Sequence, residues 1–557
     1  MTRSGTRNAP TDLWVVPFMN ESRMAITKGG GSTRLSLDPG LLSEVDGPDG
    51  ASAKLAGNRL AWSELLNWAF SFPAMLGAIL VGRVFYEGRN FFVDPDLWWH
   101  IRTGQNILAT HHWPTTDPYS FTVSGAPWMA YEWLGDAFLG AVAKYGGLQG
   151  LLALLIVLSS AIILALYYFA ALRSGSSKAG FASSLLLCSL AFGSFTLRPQ
   201  MFGYLFLILT LIALEEFRQE KGRGIWFLPP LFLVWVNTHG SWLIGLGLII
   251  TYLACGLKQF SLGSIEAACW TNRQRRHLEL VLLLCLSAIP ITPYGPRLAA
   301  YPFTVASSLP INIGNVLEWQ SMPFNLVGGK IFLAAVLGFF LLQMVARSKF
   351  HLAEILLFFG GTAMACLHVR FVILFVPFFA PVFAVLLRRW VPPYERSRDR
   401  LVLNGVIIAM VVACVIRYFP SRLETQSIVD REFPSRAVSY LKQHPVAGPM
   451  YNTYAFGGYL IWALPERKVF IDGRGDLYEL GGAFGDYLEI ARLRPAAFAL
   501  LKTYGIQSCL LERSEPLATV LAAMPEWQTA YSDDGSVLYV RRNQTAGSPA
   551  VSARKEK

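Results

Sequence analysis

Acids, histidines and arginines crowd one stretch of a chain that is otherwise poor in charge. Residues 88–147 contain FFVDPDLWWHIRTGQ, WPTTDPYSFT and PWMAYEWLGD, and carry Asp94, Asp96, His100, Arg102, Asp117 and Glu132. An ionised aspartate can take the proton of an attacking hydroxyl. A connection of this length in a compact protein is usually functional or disordered, and this one is too aromatic and apolar for disorder. Further along, RPQ at 198–200, NTHGS at 237–241, TPYGPR at 292–297, LEWQ at 317–320 and HVRF at 368–371 add Arg198, His239, Arg297, His368 and Arg370.

Each of these residues also has a plainer use. Asp94 precedes Pro95, the pattern of a helix N-cap with proline at the first helical position, and Asp96 falls in the first turn, where acids complement the dipole. The helix so started is expected over residues 95–109, with Trp98 and Trp99 able to anchor it among lipid headgroups. Pro95 disfavours helical geometry at Asp94, so Asp94 is the expected cap. Asp96 is left free to act as base or metal ligand. Glu132 sits near the start of the next helix, where an acid is unremarkable. The arginines could snorkel to phospholipid headgroups, or hold a specific anion. His100, His239 and His368 could form a metal site with an aspartate, although their spacing is no motif.

The elements that must position these groups are apolar. The 557 residues are 53% hydrophobic and 15% charged, with mean hydropathy +0.40, against about 25% charge in average soluble domains. The pattern predicts a mainly α, polytopic membrane protein with about eleven spans, several shorter than the roughly 20 residues a perpendicular crossing needs. They are read at 66–85, 148–172, 179–195, 201–214, 225–236, 242–255, 278–291, 331–345, 352–366, 371–387 and 401–418. The net charge of +11 does not indicate nucleic acid. Lys and Arg concentrate in alternate short connections, among them Arg218, Lys221, Arg223, Arg273, Arg275 and Arg276, which places those connections and the N-terminus in the cytoplasm. The loop 88–147 and the C-terminal region are then extracytoplasmic. The candidate residues all gather at outer helix ends, with Trp98, His100, Arg102, His239 and His368 lining one outer cavity. Ionisable groups do not thread the mid-membrane as in proton and ion pumps, Glu354 being the main exception.

Residues 1–64 are polar and Gly/Ser-rich and are expected to be a disordered tail, as are residues 544–557. Between them lie the membrane domain, 65–420, and an α/β domain, 421–543, where helical and strand-like segments alternate. Within FIDGRGD at 470–476, Asp472, Arg474 and Asp476 are spaced to pair. There is no P-loop, dinucleotide fingerprint or CxxC pair, so ATP-driven and redox chemistry have no basis in the sequence.

An acidic motif in a long first outer loop, many helices and an outer C-terminal α/β domain resemble the GT-C superfamily of membrane glycosyltransferases, which includes protein mannosyltransferases and the lipid A aminoarabinose transferase. DPDLWWHIRTGQ, PWMAYEWLGD, RPQMFGYL, NTHGSW and YNTYAFGGYLIW…RKVFIDGRGDLY are also similar to segments of bacterial membrane proteins loosely assigned to it. The resemblance spans residues 65–540. It implies transfer of a sugar from a polyprenyl-phosphate donor, at the outer face, to a glycan, lipid or protein acceptor. Asp94, Asp96 and Glu132 are then the catalytic candidates. Arg198, Arg297 and Arg370 are the candidates for binding the donor phosphate through charge-assisted contacts, and Trp98, Trp128 and Trp133 offer flat faces to a sugar. A divalent metal is a further possibility carried by many members. The alternative is a non-catalytic transporter or assembly factor for surface polysaccharide.

Overall fold

The computed structural model describes residues 63–89, 94–308 and 310–542, and of residues 304–308 only the backbone. The expected terminal tails fall almost wholly outside the described residues. The chain divides into two units, Met1–Ser71 and Phe72–Lys557. In the first, Ser63–Ala69 is helical. All that follows concerns the second.

Residues 72–418 are mainly helical: α1 Phe72–Gly88, α2 Leu97–Thr110, α3 Trp133–Ser174, α4 Ser177–Phe192, α5 Gln200–Arg218, α6 Leu228–Thr238, α7 Trp242–Cys255, α8 Asn272–Ala288, α9 Arg297–Ser308, α10 Pro310–Asn315, α11 Val327–Ala346, α12 Leu352–Leu367, α13 Val372–Leu387 and α14 Leu401–Tyr418. Local chemistry sets several boundaries. Ser176 caps α4 by accepting the Ala179 N–H, and Thr271 with Gln274 forms a capping box at α8. Helix α3 is two helices joined at Gly147, whose φ of 59° and ψ of −155° are non-helical and suit glycine. The first half therefore belongs to the long loop, and the second is the span expected from residue 148.

By length and composition, five helices among the described residues can cross a membrane, or six if α1 is counted with the helical residues before it. Four of the other expected spans fall on shorter apolar helices, Ser177–Phe192, Gly224–Thr238, Trp242–Cys255 and Leu352–Leu367. A 14-residue helix is only about 21 Å long at 1.5 Å per residue, less than the hydrocarbon thickness. Helix α14 leaves Val402, Val406, Met410 and Ile416 exposed. Contiguous apolar surface of that kind marks a membrane or protein contact.

Helix α5 has polar groups at both ends, Arg198 just before it and Arg218 as its last residue. Its 19 residues put these roughly 28 Å apart. At the far end Arg218 pairs with Glu215 and His351, while Arg173 holds Glu354 through two guanidinium nitrogens. This buried network accounts for the charge at Glu354, the exception noted in the spans. A small sheet packs there, with β1 Phe260–Leu262, β2 Ile265–Ala267 and β3 Phe350–His351 in that order.

The C-terminal region is mixed α/β. Helices α15 Arg422–Glu432, α16 Ser435–Gln443, α17 Tyr454–Ala463 and α18 Gly475–Leu480 precede the last strands. The sheet has the order β4-β5-β7-β6, formed by Met450–Asn452, Ser508–Glu512, Ser536–Arg541 and Trp527–Ser532 respectively. β4 runs parallel to β5, and the other pairs are antiparallel. The apolar run ending in FIDGR joins no strand of this sheet. Val469 instead bridges Ser120 of the long loop, flanked by Phe121 N–H to Val469 O and Val469 N–H to Tyr119 O.

Candidate active site

Arg198 is the hub of the site. Its Nε donates to Asp94 Oδ2 at 2.6 Å, its Nη1 lies 3.0 Å from Asp96 Oδ2, and Glu318 Oε1 is 3.5 Å from the same nitrogen. The acids come from the turn before α2 and from the short 3-10 turn Leu317–Trp319, while the arginine stands at the entry to α5. Asp94 Oδ1 accepts the Asp96 N–H at 2.8 Å, which holds the turn ahead of the helix, but Asp94 is not the N-cap expected of it. The helix begins at Leu97, and Asp96 at its N-cap position makes no cap hydrogen bond. The Asp96 side chain instead accepts from Trp99 Nε1 at 3.2 Å. Burial pushes the Asp96 carboxyl up to about 6, against the opposing pull of Arg198; Asp94 and Glu318 add to the rise.

Beside this group Glu132 caps the first half of α3 without a side-chain cap bond. His239 Nε2 lies 3.4 Å from one of its oxygens and His100 Nε2 3.7 Å from the other, both longer than hydrogen bonds. Burial raises Glu132 to about 8, with Asp96 and Asp476 adding to the rise and Arg198 and Arg370 opposing it. Burial likewise drops His239 to about 3, helped by Arg370, and carries His100 well down, helped by Arg198 and His239, which favours the neutral form of both rings. The tautomer of His239 follows from its partners. Ser241 accepts from Trp235 Nε1 and so turns its own proton to His239 Nδ1 at 2.8 Å, where the Ser241 N–H also donates. The proton of His239 is therefore on Nε2, facing Glu132. His100 Nδ1 is 2.6 Å from Asp136 Oδ1.

The arginines divide. Arg370 stacks over Trp319 at 4.2 Å and exerts its charge on Glu132, Tyr131, Tyr204 and His239. No carboxylate among the described residues pairs with it within 4 Å. Arg198 and Arg370 thus face one cluster. Arg297 is exposed at the first residue of α9, outside it.

Other candidates lie elsewhere. Trp98 is buried in an aromatic box with Phe433, Tyr459 and Trp462, so its face is taken by protein. Trp128 faces the Arg474 guanidinium, and Trp133 donates to Asn237 Oδ1 at 2.7 Å. His368 Nδ1 lies 2.6 Å from the Trp319 carbonyl, which fixes it as support for that ring. Arg102 is half-buried on α2 and joins no ion pair among the described residues. Among the described residues no three His, Cys, Asp or Glu are grouped to hold a metal ion. Asp94 and Asp96 share Arg198 and His368 is engaged elsewhere, so the donors as arranged do not fit the divalent metal that the resemblance implies.

The C-terminal region closes one side. Asp476, expected to pair within its own motif, instead accepts from Tyr301, whose ring lies 4.8 Å from that of Tyr131. Arg474 does pair with Asp472, at 2.7–2.8 Å, and reaches Asp117 of the long loop at 2.8 Å. Asp476, Tyr301 and Tyr131 were not singled out as site residues, and Glu318 only as part of the polar segment LEWQ at 317–320. The signal at Glu318 was that of an isolated acid in a connection with few charges.

Comparison with solved structures gives matches that span most of the chain. Archaeal oligosaccharyltransferase AglB from Archaeoglobus fulgidus, in complex with an inhibitory peptide and a dolichol-phosphate, matches 85% of this chain and 74% of its own, at 9% identity and a TM-score of 0.47. ArnT from Cupriavidus metallidurans in the apo state matches 88% of this chain and 100% of its own, at 16% identity and a TM-score of 0.46. The same ArnT bound to undecaprenyl phosphate gives 15% and 0.45, covering 88% and 99%. These matches extend over most of the chain, at low sequence identity. No protein-family model matches it, and no curated protein does.

Proposed function

We propose that the protein transfers a sugar from a polyprenyl-phosphate donor to an acceptor at the outer face of the membrane. The observation that carries this reading is the Arg198 cluster. It holds a buried carboxylate, Asp96, raised to about 6, together with a second arginine, Arg370, that has no carboxylate partner among the described residues, at one end of apolar helices. A base near neutral pH and cationic groups for a phosphate are the two things such a transfer requires. Asp96 takes the proton of the acceptor hydroxyl while that oxygen bonds to the sugar. The bond to phosphate breaks with its electron pair left on the phosphate oxygen, where Arg198 and Arg370 stabilise it. Asp94 holds the turn and orients Arg198. An isoprenoid tail lies among the apolar helices, which brings its headgroup to this rim.

The reading includes a topology, with the N-terminus in the cytoplasm of a cell-membrane protein and residues after Tyr418 outside. Reporter fusions at Lys258 and after Tyr418 should then report opposite compartments. The decisive assay incubates purified protein with radiolabelled polyprenyl-phosphate sugars and membrane extract. Transfer by the natural chain that disappears in Asp96→Asn supports the proposal; no transfer from any donor overturns it in favour of a non-catalytic envelope component.

A further inference from the structure

The carboxylate of Asp96 is seated against the C-terminal region. A Cβ placed on Gly473 would fall 1.5 Å from Asp96 Oδ1 and 2.6 Å from its Cγ. One residue earlier in the acidic turn, the Pro95 carbonyl sits where a Cβ on Gly458 would come, at 2.2 Å. Two glycines more than 350 positions along the chain therefore admit the turn at van der Waals contact. The carboxylate has little freedom on its other sides, where Arg198 Nη1 at 3.0 Å and Trp99 Nε1 at 3.2 Å hold it.

The wall that Gly473 provides is itself held. Its carbonyl accepts from the Tyr454 hydroxyl at 3.2 Å. Its neighbours Asp472 and Arg474 are locked to each other, to Tyr478 and to Asp117. Pressure between wall and carboxylate is therefore relieved by the two rotatable bonds of Asp96 rather than by the doubly anchored backbone.

We infer that Gly473 is a positioning residue for Asp96, so that the C-terminal region sets the aim of the proposed base. This rests on the reading of Asp96 as base. A methyl at 473 turns the carboxylate away from Arg198 and Trp99 while leaving the phosphate-binding arginines in place. Misplacement of a catalytic group by about 1 Å can cost about 100-fold in rate.

The test uses the full-length protein in detergent or vesicles and compares Gly473→Ala, Asp96→Ala and the double variant. Gly473→Ala should lower kcat by about 100-fold with the donor KM within about twofold. Its effect on Tm should shrink in the Asp96→Ala background, because the group that the methyl strikes is gone. An unchanged kcat overturns the inference. So does an equal Tm loss in both backgrounds, which shows that the methyl meets something other than Asp96. If the natural chain transfers no sugar, the proposed function fails on its own account, and the Tm cycle alone decides whether Gly473 seats Asp96.

Discussion

Arg198 and Arg474 each lie between two aspartates, yet the two groups are built to opposite ends. Around Arg474 every carboxylate oxygen has a donor. Asp472 takes the Arg474 N–H, Nε and Nη2 as well as the Tyr478 hydroxyl, and Asp117 takes the N–H groups of Tyr119 and Ser120. The rings of Trp128 and Tyr119 cover the guanidinium. Around Arg198 satisfaction is partial. Asp96 shares the arginine with Asp94 and Glu318, Glu132 touches only two neutral histidines at long range, and Arg370 has no acid within 4 Å among the described residues. A buried network whose carboxylates all have donors joins segments and keeps no free acid for a ligand. A partly satisfied one keeps charge available for a ligand, and perturbed carboxylates of this kind cluster at functional sites.

If that contrast is right, an isosteric change should silence one cluster and a truncation should unfold around the other. Asp96→Asn should leave expression and Tm near those of the natural chain and lower transfer by about 10²–10⁴-fold, the share of a general base, read in the radiolabel assay. A large Tm loss with activity kept would exchange the roles of the two clusters. Arg474→Ala should cost about 3–5 kcal/mol, because it strands two buried carboxylates. Thermal denaturation checks this, and a loss no greater than that of a surface arginine would show that the lock is dispensable.

The arginines sharpen the comparison further. Arg198→Ala and Arg370→Ala should each weaken donor binding by about 1.5–3 kcal/mol, the worth of a charged hydrogen bond. Lysine should restore only part of it, lacking the planar fork. Arg297→Ala should change donor affinity least, since it stands outside the cluster. Equal affinities in all three would return them to headgroup snorkelling.

Titration tests the same contrast through its pH dependence. Glu132 is raised from 4.5 to about 8 on folding, so the folded state binds its proton more tightly than the unfolded state does. Its contribution to stability is full below the unfolded value and is lost as pH rises through that window. Asp96 has the same sign between 3.8 and about 6, and the transfer rate should rise with pH through about 6 as the base ionises. Glu132→Gln should flatten the fall of Tm with pH between about 5 and 8. A slope unchanged by that substitution would place the titrating group elsewhere.

Much of the fold was legible because its signals are local. Apolar runs marked most of the helices, the break at Gly147 coincided with the expected start of a span, and the paired strands around SDDG formed as the alternation indicated. The span count was less legible, since a run such as Trp242–Cys255 shows that a helix is apolar but not how deep it reaches. Among site residues, Asp94, Asp96, Glu132, Arg198 and Arg370 do come together, as does His239, while Trp98 and His368 are spent on packing and Arg297 stays outside. Spacing in a turn can show that a carboxylate is free of its own helix. It says nothing of what arrives from elsewhere in the chain.

By itself, then, the sequence determined the apolar helices, the mixed C-terminal region and the rim on which acids and arginines collect, because burial of apolar surface and the backbone demands of proline and glycine act over a few residues. Tertiary structure alone decided that Asp476 pairs with Tyr301 rather than Arg474, that Glu318 joins Arg198, and that Gly473 seats Asp96. Those contacts link residues more than a hundred positions apart. Their partners are set by how helices and loops pack around a desolvated cluster, where a shift of an ångström decides whether a charge is paired.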